Sequence, residues 1–212
     1  MSTVNPKIRS FKLPPLADGY AGDLGSGEYI ELLHFANIDE PIQADEARLE
    51  ECKFTGSSLE SLRNARLLQC EMEQIGVPSF NAAGAFFNDV RFTHSRFGSA
   101  DFAAAELDGV VFENCKFGWL NLRQARVRDV VFRNCQFEEI DLGGQVQRLS
   151  FVDSRTGVVN CTGAQLRDVD LQGLDFAQVE GLDSLRGAKI SSLQLSMLAE
   201  DLAGHLGIKL AR

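Results

Sequence analysis

Residues Val110–Asp129 read VVFENCKFGWLNLRQARVRD, and residues Val130–Leu149 read VVFRNCQFEEIDLGGQVQRL. These are one twenty-residue phrase written twice, with Val110 aligned to Val130, Phe112 to Phe132, Asn114 to Asn134, Cys115 to Cys135, Phe117 to Phe137 and Leu122 to Leu142. Inside the phrase runs a beat of five: Phe87, Phe92, Phe97, Phe102, Leu107, Phe112, Phe117, Leu122, Val127, Phe132, Phe137, Leu142. Two residues before most of these stands a small or branched residue, such as Ala85, Val90, Ser95, Ala105, Cys115 or Cys135. A period of five matches neither the helix period of about 3.6 nor the strand period of about 2, so either element would scatter these side chains over every face. A chain that turns after every fifth residue keeps them together. Four such sides form a square coil whose central Phe or Leu and preceding small residue point at the axis, and four sides account for the longer repeat.

The triplets Ala100-Asp101-Phe102, Leu120-Asn121-Leu122, Ile140-Asp141-Leu142 and Val169-Asp170-Leu171 carry this beat in a form that resembles the pentapeptide-repeat proteins. The resemblance extends from about Tyr29 to Leu195. It implies an all-β solenoid, a right-handed quadrilateral β-helix, followed here by a short C-terminal α-helix. One repeat fold hosts many tasks, so the resemblance speaks to architecture far more than to function.

Outward from the central repeat the pattern loosens. Residues 1–27 hold Pro6, Pro14, Pro15 and four glycines, which exclude regular structure, while Leu13, Leu16, Tyr20 and Leu24 supply apolar anchors; an N-terminal cap over the exposed first coil is the expectation. The repeat domain is 28–190. Its early part is irregular, with Leu49, Phe54 and Leu59 followed by a change of phase to Leu67 and Met72, and Pro78 between Val77 and Ala82 suggests a bulged turn. After Leu142 one residue is lost from the beat at Gly143-Gly144, where glycine would accept the positive φ of a tightened corner. A second loss falls near Gly181. About eight coils at roughly 4.8 Å each make a rod of about 40 Å.

Residues 191–212 leave the beat. Leu195, Leu198, Leu202 and Leu206 recur at helical spacing, Ser191 and Gln194 have the spacing of a capping box, and Gly207 suits the helix end. The segment resembles the C-terminal dimerisation module of the gyrase-protecting pentapeptide proteins of the MfpA and Qnr type. That resemblance implies a homodimer joined through Leu195, Leu198, Leu202 and Leu206.

The formal net charge of −9 and the pI near 4.9 disfavour direct contact with nucleic acid or an anionic membrane, which need clustered positive charge. Acids gather at Asp39, Glu40, Asp45 and Glu46, and Asp101, Asn121 and Asp141 stack one coil apart. Asp101, Asp141, Asp39, Glu40, Asp45 and Glu46 are therefore the acidic surface that a basic partner would meet. Stacked Asp and Asn also bond backbone groups at turns, and charge runs commonly just face water. Glu106 and Asp108 are followed one coil later by Arg126 and Arg128, so the surface is not uniformly acidic.

Five cysteines, Cys52, Cys70, Cys115, Cys135 and Cys161, form no CxxC pair, which signals neither a disulfide framework nor a zinc ribbon; four occupy the small inward slot, and Cys161 a central one. His34, His94 and His205 have no partner at ligand spacing. Ser95 lies between His94 and Arg96, but its slot two before Phe97 turns its hydroxyl inward. No catalytic, cofactor-binding or metal-binding residues are assigned, and a non-enzymatic protein is expected. No signal-peptide core or membrane span is present, so a cytoplasmic location is expected. Two functions follow: a DNA mimic that binds DNA gyrase or another type II topoisomerase, as the resemblance implies, or a scaffold for a different protein partner.

Overall fold

The computed structural model describes residues 4–209. The chain winds as a right-handed quadrilateral β-helix of short strands, all pairing in parallel with the strand one coil later. Three walls can be followed by register. Ile30, Leu49, Leu67, Phe87, Leu107, Val127, Val146 and Leu166 are stacked partners along the first. Phe35, Phe54, Met72, Phe92, Phe112, Phe132 and Phe151 follow one another along the second. Val77, Phe97, Phe117, Phe137, Thr156 and Phe176 do so along the third. The fourth side is a turn column, where Phe102 N–H donates to Asn121 O, Leu122 N–H to Asp141 O and Leu142 N–H to Asn160 O.

Every one of these centres except Thr156 is an apolar member of a single buried core, together with Cys52, Cys70, Cys115 and Cys135 in the small slots beside them. Rings stack from coil to coil, with Phe92, Phe112 and Phe132 at 4.8 Å between successive centroids. That spacing is the strand separation itself, so the rings follow the backbone ladder and fill the axis.

The register also explains the phase changes. Ile30 to Leu49 is nineteen residues and Leu49 to Leu67 eighteen, against twenty for Leu67 to Phe87, so the early coils shorten their corners while keeping each centre on its wall. Leu107 to Val127 is again twenty and Val127 to Val146 nineteen. The missing residue lies at Gly143-Gly144, as the sequence indicates, but for a different reason. Neither glycine has a positive φ. A Cβ on Gly144 would collide with Ala125 O and stand 2.7 Å from Leu122 O, so the shortened corner needs close backbone approach rather than a left-handed residue. The bulge expected at Pro78 is also absent: Gly76–Asn81 is one strand paired in continuous register with Arg96–Asp101, and Pro78 sits on it exposed to solvent.

Past Glu180 the walls end in a 3-10 turn, Leu182–Leu185, and the strand Ala188–Lys189, which pairs with Val169 and Asp170. Two short helices, Ser192–Met197 and Ala199–His205, follow.

The N-terminal segment divides in two. Ala17–Asp18 pairs with Leu33 and His34, Gly19 abuts the Phe35 ring, and Leu24 packs on the core, which puts this part over the first coil. Residues 4–11 do not cover that end. They run along the outside of the rod, with Val4 N–H 3.2 Å from Asp168 Oδ1 and Lys7 N–H 2.7 Å from Asp129 Oδ1.

Candidate functional site

The acidic residues singled out from the sequence are not brought together. Asp101 Oδ1 accepts from Ala103 N–H at 3.0 Å and from Asn121 Nδ2 at 2.8 Å, and Asn121 Oδ1 accepts from Arg123 N–H at 3.0 Å. Asp141 is wholly buried: one oxygen accepts from Gly143 N–H at 3.0 Å and the other pairs with Arg123. These side chains close turns, as short Asp and Asn side chains readily do, which removes Asp141 from any contact surface. In the early coil Asp45 accepts from Ser61 and from Arg63 Nε, while Asp39, Glu40 and Glu46 are exposed.

Outward rows along the walls carry both signs. Lys53 Nζ is 2.8 Å from Glu73 and 3.9 Å from Glu71, and Arg91 is 3.3 Å from Glu71, so one row alternates cation, anion and cation up the rod. Glu106 and Arg126, stacked neighbours on another row, pair at 2.8 Å. Each such surface pair contributes about 0–1 kcal/mol, and together they neutralise the walls locally.

Two residues that the sequence reading passed over define a different surface. Val111 and Val131 stand one residue before the central Phe112 and Phe132, in the row that holds Arg91 one coil earlier. This position faces away from the axis, and neither valine belongs to the axial core. Both are nevertheless only 5% exposed. The N-terminal segment is anchored on both sides of them. Lys7 is tied to Asp129, two residues before Val131, and Phe11 lies against Arg91, the row neighbour of Val111, with its ring 4.2 Å from the guanidinium and its carbonyl accepting from that group at 3.1 Å. Ile8 between them is half-buried, and Arg9 pairs with Asp89 at 3.5 Å. The signal in the sequence is the tandem Val-Val-Phe, which puts a second apolar residue where neighbouring coils put Lys53, Glu71 and Arg91.

Beside this row runs a corner column with left-handed backbone at Asp89, Gly109, Asp129, Arg148 and Asp168. A Cβ on Gly109 would be 2.5 Å from Asp89 Oδ1, so the missing side chain leaves room for its neighbour's carboxylate. Asp129 is 4% exposed and faces Arg148, whose Nε and terminal nitrogen lie 2.6 Å and 2.5 Å from its two oxygens. Burial pushes the Asp129 carboxyl up, but Arg148, the Lys7 N–H and Arg128 outweigh it and hold the group below its ordinary value.

At the other end the predicted capping box is present: Ser191 Oγ accepts from Gln194 N–H at 3.1 Å, and Gln194 Oε1 accepts from Ser191 N–H at 2.8 Å. Gln194 is buried, and its Nε2 donates to Leu171 O and Leu174 O, both at 2.8 Å, which satisfies carbonyls that the end of the coil stack leaves open. The leucine stripe divides. Leu198 is 3% exposed and belongs to the chain's own core, while Leu202 is partly buried and packs against it. Leu195 and Leu206 face solvent, joined by Leu193, Met197 and Ile208.

A family model described as Pentapeptide repeat region matches residues 85–145. Residues 85–145 are a pentapeptide repeat region. Among solved structures, the chain is similar to trypsin-treated QnrB1, a plasmid-mediated fluoroquinolone resistance protein, at 18% identity over 88% of this chain and 93% of that one, with a TM-score of 0.37. It is also similar to HetL of the cyanobacterium Nostoc sp. strain PCC 7120, a pentapeptide repeat protein involved in heterocyst differentiation regulation, at 15% identity over 80% of this chain and 92% of that one, with a TM-score of 0.37. No curated protein matches the chain.

Within the pentapeptide repeat, Ser95 takes a structural place. Its Oγ accepts from Ile75 N–H and donates to Thr93 O, both at 3.0 Å, and the residue is 2% exposed. Ser57 and Ser154 bond neighbouring carbonyls in the same way. All five cysteines are buried and free. Burial raises the Cys70 thiol and pushes Cys161 up to about 12, while the bond to Cys115, then burial, raises Cys135. Among the described residues no three His, Cys, Asp or Glu side chains converge as metal ligands, and no helix is long and apolar enough to cross a membrane.

Proposed function

We propose that the protein is a non-catalytic, protein-binding solenoid that acts as a homodimer joined at its C-terminal end, with segments 1–27 and 191–212 flanking the repeat domain 28–190. The observation that carries this reading is the set of exposed apolar side chains beyond the last coil. Leu193, Leu195, Met197, Leu206 and Ile208 are 71%, 51%, 52%, 72% and 56% exposed. Leu193, Leu195 and Met197 sit on the first short helix and Leu206 and Ile208 lie just past the second, and this end is held to the solenoid by Gln194, Leu198 and Leu202. Leu193 and Met197, four residues apart, share one helix face, and the number of large apolar side chains exposed at this end of the chain supports a contact surface there. The filled axis supports a role without catalysis, because binding is confined to the outside. A groove of about 710 Å³ along Gly98, Gly118 and Phe137, for example, is an open surface trough.

The seam is tested by sedimentation. Wild-type protein is expected to sediment as a dimer at micromolar concentration, and Leu193→Asp with Met197→Asp as a folded monomer, since neither residue is buried in its own chain. A wild-type monomer across that range would sink the dimer.

Replacement of DNA on DNA gyrase or another type II topoisomerase is the second reading, favoured by the net charge of −9. The alternating rows of Lys53, Glu71 and Arg91 and of Glu106 and Arg126 weigh against continuous acidic stripes and favour a scaffold for another protein partner. Binding and supercoiling assays with purified gyrase at several salt concentrations separate the two. Mimicry requires a complex that salt weakens steeply. No complex at low salt with tens of micromolar protein leaves the scaffold.

A further inference from the structure

Val111 and Val131 pose a physical question: why does an outward row of a solenoid wall turn apolar for two coils and stay out of water? On either side the row is polar, with Arg91 before and Ser150 after. Beside it the N-terminal segment is bound across the coils. Its anchors Asp89, Asp129 and Asp168 stand on one corner column, successive members two coils apart. Two coils advance about 9.6 Å along the rod. The tail moves three residues, from Lys7 back to Val4, between Asp129 and Asp168, and three extended residues reach about 10 Å. Between these two anchors the tail therefore lies extended along the rod.

Most of what holds it is indifferent to the identity of the bound residue. Asp168 and Asp129 accept backbone N–H groups, and Arg91 donates to the backbone carbonyl of Phe11. Selectivity resides in three features: the two valines, the Arg91 guanidinium that stacks on an aromatic ring, and the acidic corner that pairs with Arg9. The tail matches these with Lys7, Ile8, Arg9 and Phe11.

We propose that this corner groove is a docking site for an extended peptide segment alternating cationic and apolar side chains, occupied in the free protein by the chain's own residues 4–12. The tether holds the tail at an effective concentration of order millimolar, so a partner segment of the same chemistry binds only by displacing it. The tail is an intramolecular competitor, and the groove opens to a partner that presents such a segment. This goes beyond the binding-rod reading, and its test depends on neither the dimer nor any particular partner protein.

The test uses the full chain with Ile8→Asp and Phe11→Ala, which weaken the tail without touching the solenoid, and a dye-labelled peptide of residues 4–12, VNPKIRSFK. The peptide is expected to bind the loosened chain at least about tenfold more tightly than the wild type, because the competing tail is removed. Val131→Asp in the loosened chain, and a peptide carrying the same two substitutions, should each abolish that gain. Val131→Cys reports independently on the cover, since the native cysteines are buried: it should react slowly in the wild-type background and rapidly in the loosened one. Equal labelling rates in the two backgrounds, fast or slow, would show that the tail is not what covers the row. Rapid labelling of the loosened chain with no peptide binding up to millimolar concentration would show an open groove that does not dock peptides. Either result overturns the proposal.

Discussion

Phe132→Asp is expected to yield protein that does not fold. The ring is 0% exposed, stacked at 4.8 Å on Phe112 and at 5.2 Å on Phe151, and packed edge-on against Phe137 at 5.3 Å. A carboxylate in its place stands on the axis with no cation in reach. Its uncompensated burial costs several kcal/mol, on the scale of the ~5–15 kcal/mol that stabilises a whole domain. Because each coil is the template for the next, the loss is not confined to one turn. Phe112→Asp should behave alike, and Phe132→Leu should remain folded with a lowered melting midpoint. Urea titration of soluble fractions reads all three. A soluble, cooperatively unfolding Phe132→Asp would mean that the side chain points outward.

Arg148→Ala is expected to destabilise the protein by about 3 kcal/mol near neutral pH, because it strands the buried carboxylate of Asp129. The exposed Arg128 at 3.5 Å offers only partial compensation. The pH dependence gives the sign. Asp129 is held below its ordinary value, so its contribution to stability is complete above the unfolded value of about 3.9 and is lost as pH falls through the lower folded value. The stability gap between wild type and Arg148→Ala should therefore narrow as pH drops below about 4, since a protonated Asp129 no longer needs the guanidinium. A gap independent of pH would show that Arg148 acts through packing alone.

The solenoid was legible because each wall enforces one chemical demand at a fixed interval. Phe92, Phe112 and Phe132 could not be exchanged for polar residues without breaking the axis, so the demand appears directly as a beat of five. The early phase change was visible for the same reason: Leu67 keeps to its wall although eighteen residues, not twenty, separate it from Leu49. Gly143-Gly144 marked the short corner correctly, yet the choice between positive φ and close approach needs the position of Ala125 O, which no local pattern contains. The acidic ladder was ambiguous by nature. Asp101 and Asp141 look alike in sequence and each accepts the N–H two residues on, but only Asp141 also pairs with Arg123 and is wholly buried.

The leucine stripe shows a further limit. Helical spacing groups Leu195, Leu198, Leu202 and Leu206, but a helix laid on the end of a square coil buries one edge and leaves the other free, which sends Leu198 inward and Leu206 to solvent. The outer strap was illegible for another reason. Its anchors join Lys7 to Asp129 and Val4 to Asp168 through main-chain N–H groups, which every non-proline residue carries. What remained readable was the other half of the contact, the extra valine in each Val-Val-Phe.

The division between inward and outward positions underlies both the filled axis and the surfaces outside it, and thiol titration of the native protein tests it most directly. Cys115 and Cys135 occupy slots beside Phe117 and Phe137, and all five cysteines are buried. Thiols packed inside an apolar core are inert, because the reagent cannot reach them. The expected result is negligible labelling by a thiol reagent in native buffer and labelling of all five after denaturation. Rapid native labelling of Cys115 and Cys135 would place those slots on the outside and contradict the assignment of every wall.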